Sequence, residues 1–247
     1  MRVTKIEIPI SDGNAEAYLY RPSNGSGPWP GVIFLTDIMG IREANLGMAE
    51  RIAEHGTVVL VPNIFHRVSK LPVVDFELRM GDERTMKRLG ELRAGLSSAQ
   101  MGPDGAAYAE FLLAQPDVRG PKVAVAGYCF TGTMAIRTAA AAPDKIAAAA
   151  SFHGGGLYTD RPDSPHLLLP NITAQLYFGH AIEDRGMPPE AIAKLETLLK
   201  NWPGRSESET YPAHHGWTVP GRAGIYDETQ AERHYVKLFE LLDETLK

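Results

Sequence analysis

The hydrophobic and polar positions of this chain follow two alternating patterns. Short apolar runs predict buried strands, and the longer segments between them carry apolar residues at helical spacing. The runs that predict strands are VIFL (32–35), TVVLVP (57–62), VAVA (123–126), IAAAASF (146–152) and ITAQLYFG (172–179). The segments that predict helices are 44–54, 83–95, 104–115 and the stretches around 134–139, 192–199 and 235–242. Strands that alternate with helices over short joints form βαβ units, which implies a parallel sheet.

Both ends of the chain extend this sheet. Residues 3–8 and 15–20 are predicted to form a hairpin around the turn at 11–14, and SETYPA (208–213) supplies the last strand. We therefore predict an α/β fold with a mostly parallel central sheet of about eight strands flanked by helices. We expect residues 1–247 to form a single domain.

Residues 63–103 interrupt the alternation. The segment is charged, carries five arginines and contains Gly95 and Gly102-Pro103 as helix breakers. Only 83–95 is predicted as helix within it. A connection of this length often covers a binding site, whereas a solvated charged helix face explains most of the segment equally well.

Composition and charge narrow the classes of function. The net charge of −5 lacks the basic excess of a nucleic-acid-binding surface, and no run reaches the roughly 18 apolar residues that cross a membrane. The N-terminus has no signal-peptide pattern, and a single cysteine cannot form an internal disulfide. We expect a cytoplasmic monomer or small homo-oligomer with no nucleic-acid or membrane partner. No phosphate loop, dinucleotide fingerprint or HExxH motif occurs, so we expect no cofactor and no metal.

The single cysteine lies where a predicted strand turns directly into a predicted helix. Cys129 follows the apolar run 123–126, stands between Gly127 and Gly132, and precedes an alanine-rich helical segment. A sharp strand-to-helix turn of this kind is typical of a nucleophile elbow, and the start of a helix stabilises a thiolate. A small cysteine buried behind the sheet is the alternative, because free cysteine is often buried.

Other reactive side chains follow the predicted strands, at the edge of a parallel sheet where functional loops gather. A pair of carboxylates, Glu183 and Asp184, follows the strand at 172–179, and a pair of histidines, His214 and His215, follows the last strand. The order nucleophile, acid, histidine is that of α/β-hydrolase triads. The residues alone leave both pairs open, although the neighbouring glycine favours His215 because it leaves room for a ligand.

The order and residues of these motifs resemble those of the dienelactone hydrolase family of α/β-hydrolases over nearly the whole chain. The resemblance rests on TDIMG, VPNIFHR, GYCFTG, GHAIEDRGMP and YPAHHGW, of which GYC and YPxxHG are the most specific. It implies Cys129 as the nucleophile, His215 as the base and Asp184 as the carboxylate that orients the base. It further implies an oxyanion hole formed by the main-chain amides of Ile38 and Phe130.

The sequence departs from the family pattern at three positions. Thr131 stands at the first of two trailing glycines of the elbow, where we expect slightly tighter helix packing. Asp37 replaces a glutamate that pairs with the resting thiol, so the resemblance implies an accessory residue near the thiol. Arg67 matches one of two arginines that hold a substrate carboxylate, whereas Val219 lies near the second position and Arg222 is out of register.

These residues predict a carboxylic ester or lactone hydrolase that acts on a small-molecule substrate. The thiolate of Cys129 attacks the carbonyl, an acyl-thioester forms, and water activated by His215 releases the acid. A non-catalytic binding or redox-sensing protein with Cys129 as an oxidisable thiol is the alternative from another class. Acyl transfer to an acceptor other than water is a third possibility.

Overall fold

The computed structural model describes residues 2–79 and 81–246, and an eight-stranded sheet runs through them. The strands are β1 (Arg2–Ile10), β2 (Gly13–Arg21), β3 (Gly31–Leu35), β4 (Val58–Pro62), β5 (Val123–Tyr128), β6 (Ile146–Phe152), β7 (Gln175–Ala181) and β8 (Ser206–Tyr211). The helices are α1 (Glu43–Glu54), α2 (Glu83–Ala94), α3 (Ser98–Leu113), α4 (Gly132–Ala141), α5 (Pro189–Asn201) and α6 (Glu228–Thr245). Short 3-10 turns cover Cys129–Thr131 and Pro165–Asn171.

The strand order across the sheet is β1-β2-β4-β3-β5-β6-β7-β8. The hairpin of β1 and β2 is antiparallel and joins β4 in antiparallel register, whereas the pairs from β4 to β8 are all parallel. Helices cover both faces of the sheet. This arrangement is the α/β-hydrolase fold, and it confirms the fold class predicted from the sequence.

Every residue of the central strands β3, β4 and β5 is buried, which explains why their sequences are apolar without alternation. Helices α2 to α5 pack against one face of the sheet, in a core that includes Leu92, Tyr108 and Met134. Helices α1 and α6 pack against the other face, around Ile52 and Leu238. The carboxyl ends of the parallel strands therefore stay free of covering helices and carry the loops between elements.

Gly102 and Pro103 do not break a helix, contrary to the sequence prediction. They lie inside α3, which begins at Ser98. The reason is close packing against α4: a side chain at Gly102 would lie 3.2 Å from the Cβ of Ala141, and one at Gly105 would overlap Thr138. Glycine is retained here because the two helices approach each other too closely for larger residues, a tertiary requirement that local propensity does not reveal.

Candidate active site

The predicted strand-to-helix turn is present at Cys129. Strand β5 ends at Tyr128, Cys129 adopts a φ of 59°, and the chain enters a 3-10 turn that leads into α4. A positive φ is rare for a residue with a side chain and indicates a strained turn of the nucleophile-elbow type. Gly127 is required because a Cβ there would lie 2.2 Å from the Thr131 carbonyl oxygen. The turn presents a partly exposed free thiol above the sheet.

Three loops bring an acid and a histidine to this thiol. The Nε2 atom of His215 lies 3.0 Å from the Sγ of Cys129, and its Nδ1 lies 2.6 Å from Oδ2 of Asp184. The other oxygen of Asp184 accepts a hydrogen bond from the Gly186 main-chain amide at 2.8 Å. Because Nδ1 donates its proton to Asp184, the imidazole presents Nε2 to the sulfur.

The surroundings of His215 favour its charged form. Burial lowers the pKa of this imidazole, but hydrogen bonds and charge from Asp184 and Cys129 outweigh burial and raise the pKa to about 10. Burial has the opposite effect on an acid and raises the pKa of Asp184, but the hydrogen bond and charge of His215 outweigh burial and bring this pKa below its ordinary value. The raised pKa of His215 therefore favours an imidazolium at neutral pH, held by the Asp184 carboxylate on one side and facing the Cys129 sulfur on the other.

His214 and Glu183, the alternatives that the residues alone left open, do not take part in these contacts with the thiol. His214 and Glu183 face each other at 3.8 Å on the surface, with side chains 61% and 78% exposed. Glu183 adopts a φ of 52°, and this turn directs Asp184 inward. The room expected beside His215 at Gly216 is filled by Arg222, whose Nη1 would lie 2.4 Å from a Cβ there.

Ile38, in the loop after β3, lines the same cavity as the thiol. Within the described ranges, its main-chain amide donates no hydrogen bond to the protein. Phe130 also lines the cavity, and its amide belongs to the first turn of a helix, where no intrahelical acceptor exists. These are the two residues whose amides the resemblance implied for an oxyanion hole, and both line the cavity that holds the thiol.

Among the described residues, Asp37, the accessory residue that the resemblance implied near the thiol, forms no hydrogen bond to the sulfur. Its carboxylate is held by Arg42 through two hydrogen bonds of 2.7 and 2.6 Å and accepts a third, of 2.9 Å, from the Met39 amide. The bidentate pair and the turn at Met39 use both oxygens, so Asp37 shapes the loop that presents Ile38. The thiol finds its partner in His215 instead.

Thr131 joins the elbow to the loop after β3. Its buried hydroxyl accepts a hydrogen bond from the Tyr128 amide at 2.9 Å and donates to the Leu35 carbonyl oxygen at 2.9 Å. The hydroxyl thus bridges the carboxyl ends of β3 and β5, at which the two candidate oxyanion donors begin. The next residue must be small, because a Cβ at Gly132 would lie 2.3 Å from the Ser151 hydroxyl.

Arg67 does not line the cavity, contrary to the sequence prediction of a substrate-binding residue. Its guanidinium forms bidentate pairs with Asp12 and with the buried Asp104, at distances of 2.6 to 2.9 Å. Two carboxylates from distant parts of the chain saturate it, so it ties the β1–β2 turn to α3.

A cavity of about 700 Å³ opens at Cys129 and His215. Residues 93–101 supply one wall, which fits the expectation that part of the charged segment covers a site, and residues 155–165 supply another. The cavity also holds arginines that sequence reasoning did not select: Arg93, Arg137 and Arg161. One signal was available, because Arg137 lies four residues after Thr133 on the elbow helix and therefore on the same face.

Comparison with known proteins identifies the family. The model of the dienelactone hydrolase family matches residues 15–246, nearly the whole chain. The chain belongs to the dienelactone hydrolase family. A carboxymethylenebutenolidase from Rhodococcus opacus is 27% identical over 230 residues, which cover 90% of this chain and 85% of that protein.

Solved structures show the same fold. A dienelactone hydrolase from Anabaena variabilis superposes with a TM-score of 0.70 at 18% identity, over 100% of this chain and 99% of the other. A dienelactone hydrolase-like promiscuous phosphotriesterase from metagenomic libraries gives a TM-score of 0.79 at 22% identity, over 99% and 98%. As a dienelactone hydrolase-like protein, this chain is a hydrolase that acts on carboxylic ester bonds.

Two further findings concern the described residues alone. None of their helices combines the length and apolar content needed to cross a bilayer. Across 2–79 and 81–246, no three histidine, cysteine or acidic side chains gather in a way that would hold a metal ion.

Proposed function

We propose that the protein hydrolyses small carboxylic esters or lactones through a Cys129–His215–Asp184 triad and an acyl-thioester intermediate. The observation that carries the proposal is the continuous chain of short contacts from the sulfur through the imidazole to the carboxylate, 3.0 and 2.6 Å long. Cys129 and His215 line the same cavity as Ile38 and Phe130, whose main-chain amides we assign as the oxyanion donors.

Acylation begins when a lone pair of the Cys129 sulfur attacks the carbonyl carbon of the ester. The carbonyl oxygen becomes an oxyanion, which the amides of Ile38 and Phe130 stabilise; one such donor is worth about 2.7–4 kcal/mol in a comparable site. As the oxyanion collapses, the bond to the alkoxide breaks, and the alkoxide takes the proton from Nε2 of His215. The acyl group then remains on sulfur as a thioester.

Deacylation reverses the role of the imidazole. Once Cys129 is acylated it carries no charge, so one of the interactions that raises the pKa of His215 is lost. The imidazole, still oriented by Asp184, then accepts a proton from water as that water attacks the thioester carbonyl. Collapse of the second oxyanion expels the Cys129 thiolate, which recovers its imidazolium partner, and releases the carboxylic acid.

Hydrolysis of p-nitrophenyl acetate by the wild type, Cys129→Ala and Cys129→Ser tests this proposal. We expect Cys129→Ala to lower kcat/KM by about 10⁴-fold or more, as loss of a nucleophile does in related triads. Rapid acid quench followed by mass spectrometry should find an acetyl group on the peptide that contains Cys129. Circular dichroism and thermal unfolding should show that both variants keep the fold. An alanine variant with the wild-type rate would refute the proposed nucleophile.

A further inference from the structure

The loop after β6, residues 153–156, joins separate parts of the proposed active site. It packs against the start of the elbow helix so closely that a Cβ at Gly132 would lie 2.8 Å from the Cα of Gly154. The main-chain amide of Gly156 donates a hydrogen bond of 2.6 Å to the carbonyl oxygen of Gly186, in the loop that carries the proposed acid. One short loop therefore contacts both the segment of the nucleophile and the segment of the acid.

His153, the first residue of this loop, contacts the segment that carries the base. Its main-chain amide donates to the carbonyl oxygen of Gly179, on the neighbouring strand β7, at 2.7 Å. The Nε2 atom of its ring lies 2.7 Å from the hydroxyl oxygen of Thr218, and both residues are 1% exposed. Because Thr218 stands three residues after His215, this buried hydrogen bond ties the segment of the base to the sheet.

The ring of His153 also packs against the imidazole of His215. The two ring centres are 5.1 Å apart and the ring planes are inclined by 63°, an edge-to-face contact. The indole of the buried Trp217 packs against His153 in the same manner, at 4.9 Å and 72°. Hydrogen bonds at Nδ1 and Nε2 leave the His215 ring free to tilt about the line that joins its two partners. Contact with His153 restricts that tilt.

His153 is an unfavourable choice for a residue that only fills space. Its backbone adopts a φ of 42°, which is rare for a residue with a side chain. Within the described ranges, its Nδ1 atom is buried without a hydrogen-bond partner. A strained backbone and an unsatisfied buried nitrogen each destabilise the fold, and such costs are typical of functional sites. Since the residue is 1% exposed, we expect it to act through its neighbours rather than on a substrate.

The charge of His153 suits its place beside the base. The titratable and charged groups near its ring are His215 and Arg222 from the chain after β8, His234 from α6 and Tyr128 from β5. Burial above all, and the positive charge of its neighbours in addition, lower the pKa of His153 well below its usual range. A neutral ring lies against the His215 imidazolium without the repulsion that a second cation would cause.

We propose that His153 is a positioning residue, which holds the His215 imidazole at hydrogen-bond distance from the Cys129 sulfur through its bond to Thr218 and its contact with the ring. This inference rests on the proposed hydrolysis and adds to it a residue that touches neither the substrate nor the reacting atoms. Without the bond to Thr218, the segment after β8 is less firmly held. The imidazole then lies at the sulfur for a smaller fraction of the time, and the thiol is less activated.

Alkylation by iodoacetamide tests the proposal without any turnover. Cys129 is the only cysteine of the chain, so the reaction reports on this thiol alone. Its rate constant, measured from about pH 5 to about pH 10, follows the thiolate fraction. In His153→Phe and in Thr218→Val, we expect the midpoint of this profile to rise by about half a pH unit or more, because the thiolate loses contact with the imidazolium. For p-nitrophenyl acetate, kcat should fall about tenfold or more with little change in KM.

Matched variants separate positioning of the base from general loss of stability. Thr218→Ser keeps the hydroxyl and should restore the wild-type alkylation profile and most of the rate. His66→Phe removes another buried imidazole, whose side chain is 4% exposed and lies outside the cavity lining, and should leave the profile and kcat unchanged. Urea unfolding measures the stability of every variant. If His153→Phe does not fold, the comparison of Thr218→Val with Thr218→Ser decides.

The outcomes distinguish this inference from the proposed hydrolysis. Wild-type kcat and an unshifted profile in His153→Phe and Thr218→Val would overturn the positioning role, even if both variants are less stable and hydrolysis depends on Cys129. An equal shift in His66→Phe would overturn it as well. A profile that shifts only in His153→Phe and Thr218→Val, in a protein whose hydrolysis survives Cys129→Ala, would instead refute the nucleophile and keep the contact that His153 maintains.

Discussion

Glu183 and Asp184 are adjacent carboxylates in one loop, but only Asp184 contacts the imidazole of His215. The positive φ of Glu183 leaves its side chain in solvent and turns the next one toward the imidazole. Asp184 is 8% exposed at its side chain, accepts from His215 at 2.6 Å and is fixed by the Gly186 amide. Orientation of the imidazole should therefore depend on Asp184 alone.

Asp184→Asn is expected to reduce kcat/KM for p-nitrophenyl acetate by about 10²- to 10⁴-fold, as removal of the orienting carboxylate does in serine proteases. The amide no longer holds the proton on Nδ1 of His215, so the imidazole loses the tautomer that faces the sulfur. Steady-state kinetics of Asp184→Asn and of the matched variant Glu183→Gln measure the difference. Glu183→Gln should stay within about twofold of the wild type; equal losses in both variants would contradict this assignment.

Local patterns and distant partners explain which residues the sequence predicted well. The position of Cys129 could be predicted because its strand, turn and helix all lie within 20 residues of chain. The surroundings of Arg67 could not, since its partners lie far from it in the sequence. Arg67 contacts Asp12, 55 residues earlier, and Asp104, 37 residues later. The periodicity of hydrophobic residues along the chain does not predict contacts between charged residues so far apart.

At the scale of elements, Thr131 couples two strands that each carry one candidate oxyanion donor. Its hydroxyl takes the place of a direct hydrogen bond between the ends of β3 and β5, accepting from Tyr128 and donating to Leu35. This side chain therefore adds to the direct pairing of β3 and β5 in fixing the relative position of the Ile38 and Phe130 amides. The sequence showed only that a glycine was missing; the bridge requires the two strands to be neighbours.

Thr131→Val should lower kcat for p-nitrophenyl acetate about tenfold with little change in KM. Valine keeps the shape of threonine but leaves the Tyr128 amide and the Leu35 carbonyl buried without a partner, at a cost of about 1–3 kcal/mol for each. Steady-state kinetics and urea unfolding measure both effects. Thr131→Ser retains the hydroxyl and should restore most of the rate. Equal kinetics of the valine and serine variants would show that the bridge does not position the oxyanion donors.

The predicted boundary of a helix was wrong where two helices pack against each other. The pattern placed the start of a helix at residue 104, whereas α3 begins at Ser98 and includes Gly102 and Pro103. Glycine and proline disfavour helix in isolation by about 1 and 3 kcal/mol. Packing of Gly102 against Ala141 compensates because the backbones come close enough for extensive contact. Contact between helices cannot be read from either helix alone.

At the scale of the whole molecule, folding buries several histidines in their neutral form. His153, His180 and His234 are each 1% exposed or less. Burial lowers the pKa of His180 to about 4 and of His234 to about 3, and it lowers the pKa of His153 well below the usual range. In the unfolded chain these imidazoles return to a pKa near 6.5. The unfolded state therefore binds more protons than the folded state between these values.

The sign of this imbalance fixes the pH dependence of stability. A depressed histidine pKa contributes stability above pH 6.5, and that stability is lost as the pH falls toward the folded-state pKa. His215 behaves differently, because its raised pKa keeps it protonated in both states below pH 6.5. As the pH falls near pH 5, each fully buried neutral histidine should therefore reduce the free energy of unfolding by about 1.4 kcal/mol for each pH unit.

His234→Gln should make the free energy of unfolding less sensitive to acid by about one proton's worth of slope between pH 6 and 4.5. The ring of His234 lies in the core, with Nδ1 directed at the Ala231 carbonyl oxygen and Nε2 at 3.2 Å from the Tyr128 hydroxyl, so glutamine removes the titration. Urea unfolding at half-unit pH steps measures the slope of both proteins. His214→Gln, at a surface imidazole 61% exposed, is the matched control and should keep the wild-type slope. An unchanged slope in His234→Gln would mean that the folded core admits a charged imidazole at this position. It would therefore contradict the neutral state of His234 between α6 and the sheet.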